Sequence, residues 1–138
     1  MAAIATAACT AGCAGTRQDV LSAYQAGDGE VRTYNATFDQ TWAAAHAALV
    51  WNHAAAIEEH RDQGFMLGTA PAQGWSWGAS MGIWIDPADA RSRRVRAVVS
   101  RTLATNVTAQ NETTLLDDMG RALVLEKQGA PLPAESPE

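Results

Sequence analysis

The sequence predicts an α+β two-layer sandwich: a mainly antiparallel sheet in the order β-α-β-β-β-β-α, with two helices on one face. Three observations carry this. Several short runs alternate apolar and polar residues and are bounded by Gly, Pro, Asp and Asn, as strands joined by turns do. Two longer segments each show one apolar stripe at helical spacing. Four strands follow one another without an intervening helix, so they pair antiparallel and leave both helices to cover one sheet face. The chain has 138 residues, enough for one domain and not two, and its 47% apolar content suffices for a core.

Residues 1–13 read as a processed leader, and 14–30, polar and Gly-containing, as a linker. The domain proper is 31–128. Val31 to Ala36 alternates and forms the first strand. Thr37-Phe38-Asp39-Gln40 is a capping box: the Thr37 hydroxyl accepts an orphan amide while Gln40 reaches back. Phe38, Trp42, Ala45 and Leu49 then form the stripe of a helix ending near Trp51-Asn52. Ala54–His60 and Phe65–Thr69 make a hairpin around Arg61-Asp62-Gln63-Gly64. A loop over 70–78 holds Trp75 and Trp77. Met81, Ile83 and Ile85 alternate in a strand over 80–86, and Asp86-Pro87-Ala88-Asp89 turns the chain. A long strand runs over 93–103. Asn111 caps a last helix over 112–127, striped by Leu115, Met119 and Leu123. Gly129 stops it, and 129–138, with Pro131, Pro133 and Pro137, reads as a disordered tail.

Both cysteines, Cys9 and Cys13, fall in the first thirteen residues. The body therefore has no disulfide framework, thiol nucleophile or thiolate metal site. The first sixteen residues, MAAIATAACTAGCAGT, are small, apolar and uncharged, and small residues leading to a cysteine mark the end of a secretory signal. Ala11-Gly12-Cys13 resembles a bacterial lipobox, in which the cysteine takes a diacylglyceryl group. Cys13 is the better lipidation candidate, and Cys9, after Ala7-Ala8, the weaker. Thr10 stands where a large aliphatic residue is usual, and the basic start and most of the hydrophobic stretch are missing. The competing reading is an Ala-rich terminus with incidental thiols. Each buried acyl methylene contributes about 0.8 kcal/mol, so such an anchor holds without a transmembrane helix.

Three stretches resemble small bacterial envelope lipoproteins of unassigned function: Tyr34-Asn35-Ala36-Thr37-Phe38-Asp39-Gln40-Thr41-Trp42, Gly82-Ile83-Trp84-Ile85-Asp86-Pro87, and Val98 through Ala109. The element order is more loosely similar to the helix-grip domains of outer-membrane assembly lipoproteins. The resemblance implies an envelope location and brings no catalytic residues.

Each remaining motif has a plain structural alternative. Gly78-Ala79-Ser80-Met81-Gly82 matches a nucleophile elbow, which needs a strand before the serine and a helix after it; here the serine opens a strand. His46, His53 and His60 recur every seven residues, but the helix ends before His60, so they read as surface or edge histidines rather than metal ligands. Arg91, Arg93, Arg94, Arg96 and Arg101 form a basic cluster, with Arg94 and Arg96 on one strand face. That face is either a patch for lipid headgroups, peptidoglycan or an acidic partner, or a charged face that blocks edge-to-edge pairing. Trp75 and Trp77, with Trp84 following, form either a docking surface or a loop that closes the core.

The expectation is a non-catalytic interaction module, anchored by lipid to the membrane and meeting another envelope protein or peptidoglycan. Its candidate surface is Trp75, Trp77, Trp84, Arg94 and Arg96, with no metal or cofactor. Ala14 follows Cys13 where an inner-membrane retention signal would be Asp, which favours the outer membrane, facing the periplasm. Net charge is −5, so no global basic field for nucleic acid exists. The alternative is a small-ligand-binding domain with a Trp-lined pocket between helix and sheet.

Overall fold

Capping chemistry and strand alternation set the elements from Glu30 onward. In the computed structural model, which describes residues 17–72, 78–87, 91–100 and 111–137, the chain runs through α1 (Arg17–Gln25), β1 (Glu30–Tyr34), α2 (Phe38–Trp51) and β2 (Ala56–His60). A 3-10 turn (Arg61–Gln63), β3 (Phe65–Ala70), β4 (Ala79–Pro87), β5 (Arg93–Ser100) and α3 (Glu112–Lys127) follow. After α1 this is the predicted β-α-β-β-β-β-α order. The capping box forms: Thr37 Oγ1 accepts from the Gln40 amide, and Gln40 Oε1 accepts from the Thr37 amide, each at 3.1 Å. Such a cap stabilises a helix by about 1 kcal/mol. Asn111 Oδ1 caps α3 by accepting from the Thr114 amide at 2.8 Å.

All strand pairs are antiparallel, in the spatial order β1-β5-β4-β3-β2. β2 to β5 form a meander, and β1 closes against the last of them. β1 and β2 are therefore the two edges, and α2, which joins them, crosses beneath the whole sheet. In the β2–β3 turn Gly64 sits at φ 75°, a conformation that side chains disfavour, and its carbonyl accepts from the Ile85 amide at 2.8 Å.

Period-two alternation sends Met66, Met81, Ile83, Ile85, Val95 and Ala97 to the inner face. There they meet Trp42, Ala45 and Leu49 of α2 and Leu115, Met119 and Leu123 of α3. The predicted stripes are thus the buried ones, except that Phe38, which opens the α2 stripe, is only partly buried. Ala44, Ala45, Ala47 and Ala48 are all buried, so α2 packs its backbone closely against its neighbours. Fully burying a side chain such as Leu49 or Ile83 contributes about 1.5–3 kcal/mol.

Two segments depart from expectation. Residues 14–30 are not a simple linker: Arg17–Gln25 is helix α1, laid on the outer face of the sheet. Val20, Leu21 and Tyr24 give it a short apolar side, and nine residues need such a surface to hold a helix. Val20 is 1% exposed and joins Leu67, Trp84 and Val98 in a second, smaller core. Gly82 makes room for this. A Cβ there would stand 2.4 Å from the Trp84 ring and 2.7 Å from Val20.

The segment 129–138 is not a disordered tail over its described part. Leu132 packs on the inner core, the Trp51 indole N–H donates to the Pro133 carbonyl at 2.9 Å, and Ser136 Oγ lies 3.5 Å from Asp118. Proline pre-sets φ, which lowers the entropy lost in docking this segment.

Candidate functional site

Strand alternation gives the outer face His60, Glu58 and Ala56 from β2, Phe65, Leu67 and Thr69 from β3, Trp84 and Asp86 from β4, and Arg94, Arg96 and Val98 from β5. α1 lies across it. At the helix C-terminal end Tyr24 stacks on Trp84 with centroids 4.0 Å apart and planes 5° from parallel. Phe65 continues the row at 5.7 Å from Trp84, and His60 ends it at 4.5 Å from Phe65. At the helix N-terminal end Arg17 donates from Nε and Nη2 to the two carboxylate oxygens of Glu58, both at 2.8 Å. Glu58 also meets His60 Nε2 at 2.5 Å. The hydrogen bonds from Arg17, then from His60, hold the Glu58 carboxyl well below its usual range, at about 2. α1 is thus fixed at one end by a two-pronged ion pair and at the other by a ring stack.

Where α1 stops, the face opens. A cleft of about 410 Å³ is lined by Tyr24, Gln25, Val31, Asp86, Arg94 and Arg96. Arg96 Nη1 donates to the carbonyls of Gly27 and Asp28 at 3.0 and 3.2 Å, which orients its guanidinium. Arg94 is exposed and stands in register with Asp86 on one side and Thr33 on the other. The ion pairs among the described residues include neither Arg94 nor Arg96.

The candidate residues fare differently. Arg94 and Arg96 come together in this cleft. Trp84 does not offer a docking surface, because it is 6% exposed and sandwiched between Tyr24 and Phe65. A large aromatic on an otherwise open sheet face is covered by whatever apolar helix the chain supplies, and here α1 supplies it. Trp75, Trp77, Cys9 and Cys13 lie outside the described residues, as does Arg101. The edge-protection reading of the arginines also falls: β5 is paired on both sides, with β1 and β4, so its face has no edge to guard. Tyr24, Gln25 and Val31 were not anticipated as cleft residues. The spacing of Val20, Leu21 and Tyr24, with Asp19 in the first turn, was the available signal for the helix.

The other motifs find structural places. Ser80 is buried inside β4 rather than at a strand-to-helix turn. His46 and His53 are exposed on and just after α2, while His60 ends the aromatic row. Among the described residues, no group of three His, Cys, Asp or Glu side chains is arranged around a common metal position. Among the same residues no helix is long and apolar enough to cross a membrane. The buried carboxylate Asp118 is structural. Asn52 Nδ2 donates to it at 2.8 Å and Arg121 Nη1 at 3.1 Å, tying the end of α2 to α3. Comparison with models of known families, with curated proteins and with solved structures finds no match.

Proposed function

We propose that this chain is a lipid-anchored bacterial envelope protein whose domain is a non-catalytic interaction module, with Cys13 the lipidated residue and the outer-face cleft the contact surface. One observation carries the reading. α1 begins at Arg17 and is clamped to the outer face, so only residues 14–16 separate Cys13 from the folded domain. An anchor at Cys13 therefore holds the domain at the bilayer by its outer face, the face that carries Arg94 and Arg96. The small residues before Cys13 and the likeness of 34–42 and 82–87 to envelope lipoproteins support the location. Ala14 after the cysteine favours the outer membrane, facing the periplasm. A small-ligand role is the second reading. It has the size of the cleft in its favour, since about 300 Å³ and upward suits small molecules. That cleft is lined by Tyr24 rather than by tryptophan.

The test is intact-mass spectrometry of protein recovered from bacterial membranes, expressed with its genomic upstream sequence. The expected species starts at Cys13 and carries acyl mass, and Cys13→Ala abolishes both the mass and the membrane fraction. An unmodified chain in the soluble fraction overturns the proposal and moves the small-ligand reading to the front.

A further inference from the structure

The cleft beside α1 has a chemistry specific enough to name its occupant, given the anchoring proposed above, on which this step rests. We infer that Arg94 and Arg96 receive the phosphodiester headgroup of an anionic phospholipid in the membrane that holds the anchor.

Position gives the first argument. Both arginines stand on the outer face of an interior strand, two and four residues from Val98, which is buried on that same face. The face is covered and apolar where α1 lies over Val98, Leu67 and Trp84, and open and cationic where α1 ends. A guanidinium presents a planar fork that matches two phosphate oxygens, and Arg96 is already oriented by its bonds to Gly27 and Asp28.

Charge gives the second. The cleft holds two guanidinium groups and one carboxylate, Asp86, hence a net charge of about +1 in a chain of net charge −5. That complements a single negative charge, as a phosphodiester carries, and not a polyanion. Gln25 adds an amide donor, and Val31, 41% exposed at the rim, suits the glycerol and acyl boundary above a headgroup.

Reach gives the third. Four Cα steps from Cys13 to Arg17 span at most about 15 Å. α1 adds about 14 Å more to Gln25 at the cleft. A chain of net charge −5 is not drawn to an anionic surface from afar, and its field is screened within about 10 Å. The cleft acts at contact, and the anchor adds to its occupancy by raising the local headgroup concentration, so that without the anchor binding is weaker but still present.

The test uses the full chain carrying Cys13→Ala, so that the anchor contributes nothing, sedimented with vesicles at low ionic strength. The expected result is binding to phosphatidylglycerol vesicles and none to phosphatidylcholine vesicles. Arg94→Gln and Arg96→Gln each weaken it by about five-fold, as one surface arginine does near an anionic leaflet. Arg94→Lys, which keeps the charge and loses the planar fork, binds more weakly than the wild type and more tightly than Arg94→Gln, which separates lost charge from lost fold. Lys127→Gln, the same charge change on α3, leaves it unaltered. Equal binding to both vesicles, no binding to either, or an equal effect of Lys127→Gln overturns the inference. Displacement from the vesicles by inorganic phosphate, but not by chloride of equal ionic strength, also overturns it and names free phosphate as the ligand. A chain that ignores both vesicles but sediments with isolated peptidoglycan assigns the cleft to the wall. None of these outcomes bears on whether Cys13 is lipidated, which the mass spectrum decides alone.

Discussion

Tyr34 shows how one side chain couples an edge strand to a helix. Its ring is half-buried between β1 and α3, and its hydroxyl donates to the Leu116 carbonyl at 2.5 Å. Burial pushes the phenol up to about 12. A group whose folded value is raised contributes stability that is complete below its unfolded value of 10 and is lost as pH rises toward about 12. Urea midpoints of the wild type are therefore expected to fall steeply across that interval. In Tyr34→Phe the fall is shallower, and stability at neutral pH is lower by about 1 kcal/mol, the value of one such hydrogen bond. Equal alkaline profiles for the two chains would show that Tyr34 does not titrate in this way. Both the strand and the ring of Tyr34 are legible in the alternation of 31–36, but its partner, a backbone carbonyl over eighty residues away, is not a property of side-chain pattern at all.

At the scale of elements, α1 is the segment held least by its own propensity and most by its neighbours. Nine residues do not sustain a helix alone, so Val20, the Tyr24–Trp84 stack and the Arg17–Glu58 pair carry it. Glu58 has a folded value near 2 against an ordinary 4.5, chiefly through Arg17. Its contribution is therefore complete above about pH 4.5 and lost as pH falls toward about 2. Because the pair is well exposed, the effect is confined to this helix rather than to global stability. The Val20 methyl resonances, shifted by the nearby Trp84 ring, are expected to move toward random-coil values over that range while those of Leu49 stay fixed. In Arg17→Met the Val20 shifts lose most of this acid dependence. α1 also marks the limit of what local pattern determines. Capping boxes, stripes and turns located β1 through α3 because each is a local pattern with a local cause. α1 has Thr16 before it and Asp19 three residues on, a capping pattern, but Gly27 and Gly29 follow it closely and its apolar side is short, so its helical state is decided by the tryptophan it covers, about sixty residues further along.

At the scale of the whole molecule, one sheet serves two cores, the larger under α2 and α3 and the smaller under α1. The segment after α3 seals the larger one. Truncation after Ala130 removes Leu132 and leaves the Trp51 indole and Asp118 with water in place of Pro133 and Ser136. The expected loss is about 1–3 kcal/mol in urea unfolding with little change in slope. A much larger loss would mean that the segment is integral to the core. Its three prolines point to fraying by composition; Leu132 between two of them, the Pro133 carbonyl and Ser136 bind it, and only Leu132 shows in the sequence as an apolar signal, too small to weigh against that composition. The arginine cleft was half legible. Strand alternation put Arg94 and Arg96 side by side, but only the order β1-β5-β4 shows that their strand is interior, and only α1 supplies Tyr24 and Gln25. Arg17 is fastened on the outer face, and Pro133 and Ser136 on the helical layer behind it. With sheets and helix layers about 10 Å thick, entry and exit are separated by the depth of the fold. Under an anchor at Cys13 the domain is a spacer with a built-in polarity. Whatever were fused to its last residues would then face the aqueous compartment, with the sheet standing between it and the bilayer.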